Sequence, residues 1–342
     1  MNNQPESSTQ SISWQSIIAR YNNPELRKSI WQIVNSLVPF VAMWVLMALS
    51  MKISPWLTLA LSIPAAGFLI RLFIIFHDCG HGSFTKSKKL NRIIGTSLGA
   101  LFFTPYDRWT ESHRIHHVTV GNLDKRGVGD VWTLTVQEYM SLSPWKRFVY
   151  RSYRNPIIML GIGGFLMFTI NNRFTRKENT RKQKLNVYLT NVIIAAIAVG
   201  LSLLIGWKAY LLIQLSIMYF ASIMGVFLFY LQHQYEDVVW TREKDWNYQA
   251  MALHGSSFFK LPGILRWFTG SIGYHHIHHL GPTIPNYNLA RCHDENELFR
   301  EIKPITFFAS FKALSIRLWD ENHQRVLSFR EMRKLYPDLK TV

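Results

Sequence analysis

The sequence predicts an all-α integral membrane protein: four transmembrane helices in two hairpins, with a cytoplasmic helical cap formed by the polar stretches. Two observations predict this. Uncharged runs of membrane length are segregated from the rest of the chain, and the stretches between and after them are basic and rich in histidine. The average composition hides the segregation, since 48% hydrophobic residues and a mean hydropathy of +0.03 fit a soluble protein equally well.

The runs come in order. Lys28 and Lys52 bracket 23 uncharged residues, and Lys52 and Arg71 bracket 18. Lys184 and Lys208 bracket 23, and Lys208 and Glu236 bracket 27. A helix needs roughly 20 apolar residues to cross a hydrocarbon core of about 30 Å. This places spans near 32–51, 55–76, 186–206 and 209–232. The turns inside each pair are short, "MKISP" and "GWK", so each pair is a hairpin. Trp31, Trp56 and Trp207 stand at span ends, where aromatic belts form. Arg71 lies towards an end of the second span and is expected to snorkel.

The first 28 residues are polar, and no short apolar core with a cleavage site precedes the first run. The first span is therefore expected to act as its own insertion signal. Cys79 and Cys292 are too few for a disulfide framework and show no CxxC spacing. The net charge is +17 and the pI about 9.9. Cytoplasmic loops of membrane proteins are enriched in Lys and Arg, which explains this basicity without nucleic acid. The strongest such block is "NNRFTRKENTRKQK", from Asn171 to Lys184. Two weaker apolar runs, 93–106 and 155–172, are read as re-entrant or interfacial. The long middle stretch, the tail and the N-terminus are then all expected to face the cytoplasm. The expected divisions are a polar N-terminus over 1–30, one domain over 31–300 and a basic tail over 301–342.

Eight of the 13 histidines fall into three boxes of matched spacing. "HDCGH" holds His77 and His81. "HRIHH" holds His113, His116 and His117. "HHIHH" is read as His275, His278 and His279. Residues i, i+3 and i+4 share one helix face, so each box presents its imidazoles in one direction. Imidazole is largely uncharged near neutral pH and is the commonest metal ligand. Eight nitrogens exceed what one tetrahedral zinc takes. They suit two metals of higher coordination number, with iron the natural choice for chemistry with O2. Ligating imidazoles usually give their other N–H to a carboxylate or carbonyl. Asp78, Asp107, Glu111, Asp130 and Asp237 are the acidic residues available for this.

The boxes, together with "GNLDKRGVGDVWTLTVQEY", "YLQHQYEDVVW" and "GSIGYHHIHHLGPTIPNYNL", resemble those of the membrane fatty acid desaturases, and within them the bacillus-type acyl-lipid desaturases. The resemblance runs from about residue 30 to 300. It implies a desaturase domain whose cap holds a di-iron site on the eight box histidines. It adds His233, in "LQHQYED", as a ninth ligand, and leaves His276 as a supporting or surface residue inside the third box. His254, His293 and His323 are read as ordinary polar residues, and Cys79 as a spacer. The implied reaction forms a cis double bond in a saturated acyl chain, with a lean toward Δ5, using O2 and two external electrons. The chain shows neither a Cys-rich iron–sulfur pattern nor an HPGG haem motif, so the implied donor is a separate ferredoxin or flavodoxin. A hydroxylase or alkane oxygenase on the same scaffold is the nearest alternative. A histidine-rich metal transporter is the alternative of another class, disfavoured by spans nearly bare of ionisable groups.

Overall fold

A computed structural model describes residues 13–337. The first part of the expected polar N-terminus, 1–12, and the last five residues of the expected tail lie outside the described residues. The order begins with helix α1 (Trp14–Ala19), α2 (Leu26–Ser50), α3 (Pro55–His81), α4 (Lys88–Leu101) and α5 (Tyr106–Thr119). Strand β1 (Leu134–Thr135), α6 (Val136–Met140) and α7 (Pro144–Tyr153) follow. A π-helical segment (Ile157–Gly163) runs into α8 (Gly164–Thr169). Then come α9 (Arg181–Ile205), α10 (Trp207–His233), α11 (Tyr248–His254), β2 (Phe258–Lys260), α12 (Gly263–Phe268), α13 (His275–Leu280) and α14 (Asn286–Asp294). The chain closes with α15 (Glu297–Arg300), β3 (Pro304–Thr306), α16 (Phe307–Ala313), β4 (Leu318–Asp320), β5 (Arg325–Leu327) and α17 (Phe329–Leu335).

Among the described residues four helices are long and apolar enough to cross a membrane: α2, α3, α9 and α10. Each overruns the expected span. Capping explains α9, where Thr180 and Gln183 form a capping box that starts the helix among Arg181, Lys182 and Lys184. Hydropathy alone trims those charged turns away. At the other end of α3, Ser54 caps the start and Pro55 occupies the first turn. Gly82, at φ 70°, stops it in the left-handed conformation directly after His81. The first histidine box is therefore the last turn of α3 rather than a loop after it. His233 is likewise the last residue of α10. With 27 residues each, α3 and α10 are about 40 Å long. That exceeds a hydrocarbon core of about 30 Å, so each is long enough to carry its histidine end beyond it.

α3 is the central helix, packed against α2, α4 and α10, while α9 leans on α10. Arg71 does not snorkel. It is buried, its guanidinium lies 3.9 Å from the Trp267 ring centroid, and Nη1 donates to the Trp267 carbonyl. The run 93–106 is mostly the amphipathic α4, laid on α3 and α9. The run 155–172 is helical and bent by 67° from α7, the form of a broken span or re-entrant loop. Trp145 and Phe148 stand exposed on α7 beside it.

The body is not wholly α-helical. β1, β4 and β5 form one small sheet, and β2 pairs in parallel with β3. Strands of two or three residues leave no periodicity to read. The expected tail is folded over Pro304–Leu335, with Leu318, Trp319 and Asp320 fully buried. Arg154, 0% exposed, ties these parts together. Nη1 donates to the Trp132 carbonyl and to Thr133 Oγ1, at 2.9 and 3.1 Å. Nη2 donates to Tyr230 Oη, Gln234 Oε1 and the Ile316 carbonyl, at 3.0–3.2 Å.

Candidate metal centre

Four elements bring nine imidazoles together. α3 supplies His77 and His81, α5 supplies His113, His116 and His117, α10 supplies His233, and α13 supplies His275, His278 and His279. They sort into two groups. His77, His81, His113, His117 and His278 form one, and His116, His233, His275 and His279 the other. Within each group the facing nitrogens all lie within 4.8 Å of one another. α5 and α13 contribute to both groups, because adjacent residues of a helix point about 100° apart. All nine residues named from the sequence are thus in the cluster. His81 and His113 are half-buried, and the other seven are buried.

The donor set fits metal ions. His77 Nδ1 lies 3.3 Å from Asp78 Oδ1, and His116 Nδ1 lies 2.6 Å from Asp130 Oδ1. His233 Nδ1 lies 3.1 Å from the Gly255 carbonyl, an acceptor with no sequence signal. A neutral imidazole carries one N–H, so in these three it sits on Nδ1 and leaves Nε2 a bare lone pair. Yet His116 Nε2 and His233 Nε2 lie 3.0 Å apart. Two lone pairs so placed repel unless a cation lies between them. The separations His77–His113, His113–His117, His117–His278, His233–His275 and His275–His279 are 3.0–3.2 Å. Neighbouring ligands of a metal bonded at roughly 2.0–2.2 Å stand about 3 Å apart. Nε2 of His81 is buried without a hydrogen-bond partner, another donor free for a metal. Burial first, and the neighbouring imidazoles next, hold His113, His117, His275, His278 and His279 well below the usual histidine pKa. They stay neutral and able to ligate at pH 7.

Other assignments change. His276 is neither at the surface nor against the cluster: it is 0% exposed, with Nε2 3.1 Å from His293 Nδ1 and its ring against Phe258. Burial, then His293, pushes its pKa down to about 3. His293 is its buried partner rather than an ordinary polar residue. Asp107 pairs with Arg92 and Lys182, Glu111 with Arg114 and Asp237 with Lys303, so none of these carboxylates orients an imidazole. Cys79 is buried between His77 and His81 on the far face of the same helix end, consistent with a spacer. Two aromatic supports escaped notice. Trp109, one turn before His113, stacks on that ring at 4.5 Å. Phe229, one turn before His233, lies 5.3 and 5.4 Å from His116 and His233.

Gly273 fixes where α13 begins. Its carbonyl accepts from Phe259 N at 2.7 Å, and a Cβ there would stand 2.3 Å from the Phe259 carbonyl oxygen. That obstacle is backbone and cannot swing aside. Gly273→Ala is expected to lose about 1–3 kcal/mol by overpacking, read as a lower unfolding temperature in detergent, and to shed metal as α13 shifts.

Membrane-length helices whose ends carry two largely buried imidazole clusters describe a membrane protein with a site fit for metal ions. The family model for fatty acid desaturase matches residues 54–308. A fatty acid desaturase of Bacillus subtilis (strain 168) is 46% identical over 318 residues, covering 93% of this chain and 90% of its own. An endoplasmic reticulum omega-3 fatty acid desaturase of Vigna radiata is 32% identical over 72% of this chain and 67% of its own. A chloroplastic sn-2 acyl-lipid omega-3 desaturase (ferredoxin) of Arabidopsis thaliana is 31% identical over 78% of this chain and 61% of its own. This chain belongs to the fatty acid desaturase family. It is a membrane oxidoreductase of lipid metabolism whose histidine clusters fit a metal site.

Proposed function

We propose that this chain is a di-iron, O2-dependent acyl-lipid desaturase. It introduces a cis double bond into a saturated acyl chain, at Δ5 on the bacillus-type resemblance. One observation carries the reading: a family member gathers five and four imidazoles, buried or half-buried, in two groups whose facing nitrogens lie within 4.8 Å of one another. The four spans are two hairpins in a bacterial plasma membrane, with the histidine-bearing cap on the cytoplasmic face.

An unactivated methylene C–H is not acidic, so no side chain removes its proton unaided. Bound iron supplies the oxidising power that O2 activation requires. The reaction consumes one O2, two electrons and two protons, and yields the alkene and two waters. The residues do the rest. The nine imidazoles would hold the two ions, His77, His81, His113, His117 and His278 one of them and His116, His233, His275 and His279 the other. Asp78, Asp130 and the Gly255 carbonyl fix the tautomer and ring angle of His77, His116 and His233. Trp109 and Phe229 cover the ring faces with apolar surface and keep water off. Electrons come from a separate donor, since two buried cysteines cannot build an iron–sulfur cluster. Relatives whose names carry ferredoxin support a ferredoxin donor, with flavodoxin the other choice.

The test is the fatty acid profile of a host that makes only saturated chains, with this protein and a ferredoxin system expressed. Gas chromatography with mass spectrometry of disulfide adducts locates the bond. A new cis-monoene is expected, at Δ5. A hydroxylated chain instead would replace the reading with a hydroxylase, and metal uptake into cells without any new product would replace it with a transporter.

A further inference from the structure

The loop that follows the third histidine box, "GPTIPNY", lies against the first box. Asn286 donates from its backbone N and from Nδ2 to Asp78 Oδ2, both at 2.8 Å. This leaves Asp78 Oδ1 to face His77 Nδ1. The Asn286 amide is fixed in turn by Gln32, 254 positions earlier on α2. Gln32 Nε2 donates to Asn286 Oδ1 at 2.7 Å, and Asn286 Nδ2 donates back to Gln32 Oε1 at 3.2 Å. All three residues are buried, at 8%, 1% and 1% exposure for Gln32, Asn286 and Asp78.

The amide orientation admits one solution. Both Nδ2 hydrogens are spent, one on Asp78 and one on Gln32, while Oδ1 is held by Gln32. A flipped amide would turn Oδ1 against the Asp78 carboxylate and leave Gln32 Nε2 facing an N–H. The buried face of α2 agrees with this. Its residues Ser29, Gln32 and Ser36 form a polar stripe, although the helix is otherwise built to meet lipid. A buried amide in such a helix needs a partner, because unpaired polar groups are costly there.

We infer that Gln32 and Asn286 are a positioning pair for the first metal group, acting on His77 through Asp78. The pair docks the first membrane helix onto the centre and fixes the carboxylate that orients His77. It touches neither substrate nor metal, so it is positioning rather than catalytic. This rests on the di-iron reading above.

The test uses the full-length protein in detergent, loaded anaerobically with Fe(II). The readouts are iron per chain during chelator competition, the Mössbauer spectrum, and the unfolding temperature of the metal-free protein. Outer partners of metal ligands typically contribute about 10–100-fold in affinity. Gln32→Met is therefore expected to weaken one of the two irons by that factor and alter its spectral component. Ser36→Ala, which loses bonds to the Gln32 carbonyl and to Asn35 Oδ1 but leaves the Gln32 side chain paired with Asn286, should match the wild type. A Gln32→Met protein that melts earlier yet competes for both irons like the wild type, with an unchanged spectrum, would reduce the pair to packing and overturn the inference. Should that variant not fold, the isosteric Asn286→Asp carries the same test: it keeps the acceptor for Gln32 but sets a second carboxylate on Asp78. Wild-type affinity in it would overturn the inference equally. The wild type separates the two readings. If it takes up no iron, the di-iron reading falls and this one with it. If it loads and the variants match it, only the positioning role falls.

Discussion

Replacing His278 by alanine will erase the new monoene, lowering desaturation by more than about 100-fold, beyond what loss of an outer partner alone does. His278 is buried in the first group, and its Nε2 lies 3.1 Å from that of His117. Its ring also lies 4.5 and 4.8 Å from those of His77 and His81. No other side chain can fill that place, since the remaining nitrogens are committed to their own corners. The informative partner is His276→Ala, two residues away on the same six-residue helix. Its Nε2 faces His293, outside both groups. That variant should lose stability by emptying a buried site, yet keep two irons per chain and its product. Fatty acid profiles and iron analysis of the pair check this. Equal loss in both would mean that α13 as a whole, not its ligand face, is what matters.

Arg154→Met will unfold the cap at a markedly lower temperature than the wild type. The guanidinium donates to five neutral acceptors drawn from the stretch before β1, from α10 and the residue that follows it, and from the segment before β4. Methionine fills similar volume but donates nothing. Thr133 Oγ1 keeps the Gln234 amide and the Ile316 carbonyl keeps Tyr230 Oη and Arg317 Nη1, but the Trp132 carbonyl and Gln234 Oε1 are left unpaired, at about 1–3 kcal/mol each. Activity should fall as well. Thr133 and Trp132 follow closely on Asp130, the carboxylate on His116, and Gln234 follows His233 directly. Thermal unfolding in detergent, with product yield at low temperature, separates the two effects. An unchanged unfolding temperature would show that the knot carries no weight.

These two residues also mark what could be read from the sequence. Eight of the nine clustered histidines were legible because i, i+3, i+4 spacing survives in the primary sequence, while His233, outside the boxes, came only from the family resemblance. The four spans were legible because the bilayer forbids charge over a fixed length. Their true ends were not, since a capping box such as Thr180–Gln183 extends a helix through charges that hydropathy rejects. The choice among five carboxylates was also open, as only Asp78 and Asp130 approach an imidazole and the fold alone decides which. His276 looked exposable because a short helix has no sequence mark for what packs behind it. Gln32 and Asn286 could not be paired at all: a contact across 254 positions leaves no local pattern. Arg154 read as one more basic residue among many.

α3 and α10 are posts of equal length, 27 residues each, and both end in histidines of the cluster, His81 and His233. Their rigidity sets the altitude of the histidine clusters relative to the lipid. An acyl chain must climb that height to react, and each methylene lifted into water would cost about 0.8 kcal/mol. The route must therefore be lined with apolar wall all the way up. Membranes differ in thickness by a few Å, and posts of fixed length answer by tilting. A thicker bilayer would bring the histidine clusters nearer its surface, so that fewer carbons are drawn out before the chain reaches them. Bilayer thickness then becomes a parameter of the reaction, and the same enzyme placed in short-chain and long-chain lipids need not desaturate them at the same rate.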